Sequence, residues 1–185
     1  MLLFPKDQMN LFLEVLITAK LSAASASFSW FIGRRFKQKV SRDMTLLLSA
    51  AYGLMQYMLA QGSNVMWLDG VILLPFIVMG IHSAAHSRRF ALAELAVPAA
   101  ASVLVNWYTG GINYLFSTVW FLYELLREKG SAKQDRRRRI GPAKCAGRYL
   151  LGMGTGLLLA AVLFLPNVIA LRQGKAGSWN PTAYS

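Results

Sequence analysis

Asn64-Val-Met-Trp67-Leu-Asp69-Gly-Val-Ile-Leu-Leu-Pro75 (NVMWLDGVILLP) sets one carboxylate and one indole at the mouth of an apolar run that continues to Ala85. A helix of that length covers the ~30 Å of bilayer hydrocarbon at about 1.5 Å per residue. Pro75 inside it removes a backbone donor, which a membrane helix tolerates when a neighbour satisfies the freed carbonyl. This stretch therefore reads as the entrance of a transmembrane helix, with Trp67 at headgroup level and Asp69 just inside the rim.

Working outward, five more apolar runs follow the same logic. Spans are expected at about 9–32, 44–61, 64–85, 90–105, 112–126 and 149–171, in one integral membrane domain over 1–185. The fold class is all-α, a polytopic transmembrane helix bundle of about six spans. Composition agrees: 55% of the 185 residues are hydrophobic and mean hydropathy is +0.40, more apolar surface than a soluble domain of this size could hide. The net charge of +12 would point to nucleic acid in a soluble protein. Here sixteen of the twenty Lys and Arg lie in three connectors, 33–43, 86–89 and 127–148, so no nucleic acid is expected as partner.

Six spans put those three connectors on one side, and the positive-inside rule makes that side the cytoplasm. Both termini and the Asn64–Pro75 entrance then face outward, in a multi-pass membrane protein. The Arg136–Arg139 run reads as a topogenic stop that also meets anionic membrane lipids. The 127–148 connector has too few apolar residues to pack. Cys145, the single cysteine, falls within it and cannot form an intrachain disulfide. The segment MLLFPKDQ shows no signal-peptide cleavage pattern. An outward start would carry Lys6 and Asp7 across the membrane unaided, so a further upstream span is expected and the chain reads as a fragment of a longer protein.

A second polar aromatic cluster, Asn106-Trp-Tyr108-Thr-Gly-Gly-Ile-Asn113-Tyr114, lies on the same side as Asp69, with Thr109-Gly110-Gly111 read as a tight turn. Amide groups beside flat aromatic faces suit a carbohydrate or a lipid headgroup, although an aromatic belt explains the rings equally well. Asp69 could bind a divalent metal ion, accept a hydroxyl proton or hydrogen-bond a sugar, or could simply favour a helix start. Glu14, Lys20 and Glu94 sit inside apolar runs and are expected to face the bundle interior or the interface. Gly152 and Gly156 in GMGTG, spaced i, i+4, read as a helix-packing face rather than a phosphate loop. His82 and His86 share a helix face; with no third ligand evident nearby, they read as finishing the basic end of their helix.

The pair NVMWLDGVILLPFIVMGI and VNWYTGGINYLF, with AAYGLMQYMLAQGSNVMW upstream and YLLGMGTGLLLAAVLFLPNVIAL downstream, resembles the YfhO-like family of bacterial multi-span membrane proteins. That family looks related to GT-C glycosyltransferases. The resemblance implies a GT-C-like core segment and transfer of a sugar from a polyprenyl-phosphate carrier to a cell-envelope polymer such as lipoteichoic acid. It implies substrate contacts from Asp69, Asn64, Trp67, Asn106, Tyr108, Asn113 and Tyr114, with Asp69 as the ligand of a divalent metal ion. GT-C enzymes place a catalytic carboxylate in a first external loop, and Asp7 matches no such motif, so a catalytic residue is not assigned. The reading from a different class is a non-enzymatic scaffold or transporter component, with Glu14, Lys20 and Glu94 along a polar path.

Overall fold

The computed structural model describes residues 9–36, 39–62, 64–87, 90–130 and 141–177, and within them the chain is helical with no strand. Asp7, Arg88, Arg89, the Arg136–Arg139 run and the end of the chain lie outside the described residues. The helices are α1 (Met9–Phe36), α2 (Arg42–Gly53), α3 (Gln56–Ala60), α4 (Val65–His86), α5 (Ala93–Val105), α6 (Trp107–Gly130) and α7 (Pro142–Gly177). Among the described residues three segments are long and apolar enough to cross a membrane: Asn10–Phe36, Val65–His86 and Pro142–Val162. Exposed Leu115, Val119, Leu158 and Val162 give the bundle an apolar outer face, as expected where lipid is the solvent.

All six apolar runs are helical, but three boundaries differ from the sequence reading. The run at 44–61 is broken: Ser41 caps α2 by accepting from the Met44 amide, and Met55, with extended backbone, separates α2 from α3. The Thr109-Gly110-Gly111 turn is absent, because α6 starts earlier, at Trp107. The Asn106 side chain accepts from the amides of Tyr108 (2.9 Å) and Thr109 (3.3 Å), which satisfies two orphan donors of the first turn and fixes the start there. The third difference is in the basic connector, where α7 begins at Pro142 and takes Cys145 and Arg148 into the bundle. Proline at the first helical position lacks only a donor that would have been unpaired anyway. Arg148 then donates to Ser87 O at 2.7 Å and Ala84 O at 3.4 Å, covering carbonyls at the end of α4.

α4 lies at the centre, packed against α1, α5, α6 and α7. Its proline creates a specific demand. Pro75 cannot donate to Val71 O, and the Tyr52 hydroxyl from α2 donates to that carbonyl at 2.8 Å. Close approach elsewhere is made possible by glycine. A Cβ at Gly110 would lie 2.8 Å from Ser102 O and from Val103 Cα, so α5 and α6 meet backbone to backbone. A Cβ at Gly80 would lie 2.7 Å from Glu94 O, the carbonyl left without its helical donor by Pro98.

Gly152 and Gly156 form the packing face expected of them. A Cβ at Gly152 would sit 2.6 Å from Leu95 Cδ2, and one at Gly156 would sit 2.8 Å from Ala99 Cβ and 3.0 Å from Ala96 O. Gly154, between them, has nothing within 4 Å. The interior is completed by Ile77, Ile81, Leu95, Phe121 and Tyr149, the last two stacked with centroids 4.2 Å apart. Gly156→Val should therefore destabilise the detergent-solubilised protein by about 1–3 kcal/mol, the usual range for overpacking. Gly154→Ala should leave Tm unchanged or raise it, since it adds helix propensity without a clash; equal losses from the two variants in thermal unfolding would contradict this packing.

Candidate functional site

Asp69 lies in the second turn of α4, and its carboxylate is met by a residue from another helix. Lys20 of α1 brings its ammonium to 2.6 Å from Oδ1 and 2.7 Å from Oδ2, and donates to Val65 O at 2.9 Å. The side chains of Lys20 and Asp69 are 18% and 24% exposed, so the pair is partly dehydrated yet reachable. At that depth an isolated charge of either sign would be costly, and each is tolerated because the other faces it. Lys20 is eleven residues into α1, which explains why it pairs inside the bundle rather than at the helix end.

The two polar aromatic clusters of the sequence are brought together here. Asn113 of α6, buried, donates through Nδ2 to Gly70 O of α4 at 2.9 Å. Thr109 packs on Gly70 so closely that a Cβ there would lie 2.7 Å from Thr109 Cβ. Above this contact the rings of Trp67 and Tyr108 lie 5.3 Å apart at 31°, and Trp107 meets Tyr108 edge-on. Half of Tyr108 remains exposed, leaving an aromatic surface on the α6 side of α4, whereas Asp69 turns toward α1.

Not every residue proposed from sequence points into this cluster. Asn64 is exposed and donates to Gln61 Oε1 at 3.3 Å. Asn106 spends its carbonyl oxygen on the α6 cap. Tyr114 turns toward α7 and donates to Met153 O at 3.0 Å. Trp67, Tyr108 and Asn113 thus meet where α4 packs on α6, Asp69 faces Lys20 of α1, Asn106 caps α6 and Tyr114 ties α6 to α7. Lys20, read from the sequence only as an interior or interfacial charge, is the direct partner of Asp69. Its signal was a lone lysine within an apolar run, but sequence could not say which carboxylate it met.

A second polar cluster occupies the opposite end of the same helices. Arg35, in the last turn of α1, donates through Nη2 to Glu124 Oε1 of α6 at 2.7 Å, and Glu124 is fully buried. Arg35 Nη1 lies 2.7 Å from His82 Nε2 and also contacts His82 Nδ1. A cavity of about 800 Å³ opens beside it, lined by Arg34, Gly80, His82, Ser83, His86 and Glu94 among others. Glu124 escaped the sequence reading, although a single carboxylate in an apolar run is the signal that marks such a position.

Glu14 and Glu94 are both exposed and near different clusters: Glu14 is on α1 before Lys20, and Glu94 lines the cavity at the Glu124 end. Together with the ion-paired Lys20 they do not form one cluster.

No curated protein and no solved structure matches the chain. A family model described as bacterial membrane protein YfhO matches residues 1–184. That match spans both clusters and every helix described above, and the chain belongs to the YfhO family of bacterial membrane proteins.

Proposed function

We propose that the Asp69 end of the bundle handles a polyprenyl-phosphate-linked sugar at the outer face of the bacterial cytoplasmic membrane and passes the sugar to a cell-envelope polymer such as lipoteichoic acid. The observation that supports this reading is the partly exposed Lys20–Asp69 pair in the first turns of α4, the same turns that carry the Trp67–Tyr108 ring contact on their α6 side. A phosphate leaving group needs a cation, a hydroxyl acceptor needs a base, and a sugar ring is well matched by flat aromatic faces. The entrance of α4 gathers all three.

In this reading the acceptor hydroxyl oxygen bonds to the anomeric carbon as the bond from that carbon to the phosphate oxygen breaks. The bonding pair departs on the phosphate, and the hydroxyl proton passes to Asp69. Lys20, drawn from Asp69 toward the phosphate, holds the charge that develops there. Trp67 and Tyr108 flank the sugar, and exposed Asn64 supplies a rim hydrogen bond. Asn113, Asn106 and Tyr114 act by fixing α4, α6 and α7 relative to one another. Both carboxylate oxygens of Asp69 face the Lys20 ammonium, so a divalent ion bound there between Asp69 and the donor phosphate would take the place of Lys20.

The basic connectors, in this orientation, meet the anionic lipids of the cytoplasmic leaflet. The non-enzymatic reading is also specific: a Lys20–Asp69 pair closed on itself is a good clamp between α1 and α4.

Three measurements test these statements. Membranes containing a full-length YfhO-family protein that carries this segment should transfer labelled sugar from a polyprenyl-phosphate donor to envelope polymer, and the Asp69→Asn change should lower that transfer by about 10²-fold or more at equal protein level. Full transfer by the variant would refute the role of Asp69. A Lys20→Met/Asp69→Leu double variant should be folded, since an apolar pair commonly replaces a buried ion pair without loss, and should be inactive; retained biological activity would establish the clamp alone. Finally, Asn64→Cys should react with an impermeant maleimide in intact cells and Lys144→Cys only after permeabilisation. The reverse pattern would invert the orientation.

A further inference from the structure

α4 and α6 bring His82, His86 and Glu124 to the end of the bundle opposite Asp69, with one donor atom from each within 4.8 Å of the others. Residues i and i+4 of a helix project from one face, so the two imidazoles stand side by side, their rings 4.4 Å apart. His86 Nδ1 lies 3.2 Å from His82 O. With its Nδ1–H donated to that carbonyl, the ring keeps its lone pair on Nε2, which lies 3.9 Å from Glu124 Oε2. A backbone carbonyl that fixes the tautomer in this way is the usual support of a metal-binding histidine.

The carboxylate shows the complementary feature. Glu124 Oε1 accepts from Arg35, whereas Oε2 is buried and has no hydrogen-bond donor. A buried carboxylate oxygen left so pays a desolvation penalty that a donor or a cation would relieve. From this convergence we propose that His82, His86 and Glu124 bind one divalent transition-metal ion of the zinc type. Two neutral imidazoles and one carboxylate favour such an ion over magnesium or calcium, which prefer oxygen ligands throughout.

The geometry is close to what that ion requires. Zn–N and Zn–O bonds of about 2.0–2.2 Å put tetrahedral ligand atoms roughly 3.3 Å apart. The His86–Glu124 separation of 3.9 Å, and the spread of up to 4.8 Å among the three donor atoms, would close by rotation of the side chains as His82 leaves Arg35. The His86 side chain is 37% exposed, and the neighbouring cavity of about 800 Å³ provides both entry and room for a water as fourth ligand. Arg35 is the competitor. Its Nη1 contacts the His82 ring nitrogens, so metal binding displaces that contact, and the positive charge of the guanidinium opposes the incoming ion. The metal and the tip of α1 are thereby coupled: each weakens the hold of the other on Glu124 and His82. None of these residues takes part in the Asp69 reading.

The test is a Co²⁺ titration of the whole chain, purified in detergent with no histidine tag and stripped by chelator. The visible absorption of tetrahedral Co²⁺ reports the site, and Zn²⁺ should abolish it. One ion per chain is expected. His86→Ala should weaken binding at least ~10-fold, the lower end of what even an outer-sphere partner contributes, and Glu124→Gln should do the same. Arg35→Gln should tighten it, which a purely structural role for the cluster would not produce. Absence of the Co²⁺ bands from the unmodified chain, or unchanged affinity in His86→Ala, overturns the proposal. His86, at the edge of the bundle, keeps the test decisive should Glu124→Gln fail to fold.

Discussion

Charges carried inside an apolar bundle must find partners, and two cross-helix ion pairs meet that requirement here. Lys20 with Asp69 joins α1 to α4 at one end, and Arg35 with Glu124 joins α1 to α6 at the other. Removing one member of a buried pair typically costs about 3–5 kcal/mol because the survivor is left unpaired. That penalty is largest at Glu124, which has no exposed surface, and smaller at Asp69, where water still reaches the carboxylate. Lys20 also donates to Val65 O and Arg35 also meets His82, so these two cations, with the apolar packing of α1 on α4, fix the rotation and depth of α1.

The same rule governs the backbone. Pro75 frees the carbonyl of Val71, and Tyr52 supplies the missing donor; Asn106 caps the amides of α6, and Arg148 covers carbonyls at the end of α4. Each of these partners comes from a neighbouring segment, so satisfying local backbone groups also sets how elements pack. Glycine does the remainder. Gly70, Gly80, Gly110, Gly152 and Gly156 stand where a methyl group would strike another helix, and the contact at Gly70 lets Thr109 and Asn113 of α6 pack directly on α4.

The two ends of the bundle differ in chemical character. At the Asp69 end, an ion pair with partial exposure faces α1 and half-exposed aromatic rings face α6. At the Glu124 end, a fully buried carboxylate faces imidazoles and a guanidinium beside a cavity. α1 contributes a cation to each.

Much of this was legible in the sequence. Apolar run lengths gave the all-α membrane class, and the i, i+4 spacing of Gly152 and Gly156 gave a packing face, since both depend on local periodicity. The motif around Asn64–Pro75 gave the family, and the polar residues of 64–69 and 106–113 marked two segments that come into contact through Trp67 and Tyr108. The break between α2 and α3 and the early start of α6 were hidden because a single extended residue and one capping side chain outweigh an apolar pattern that continues across them. What only the tertiary structure decided is pairing. Lys20 is 49 positions from Asp69, and Arg35 is 89 from Glu124. Hydropathy registers that each charge is in an unfavourable place, but the partner that makes it tolerable is chosen by which helix faces meet, and that choice belongs to the packed bundle.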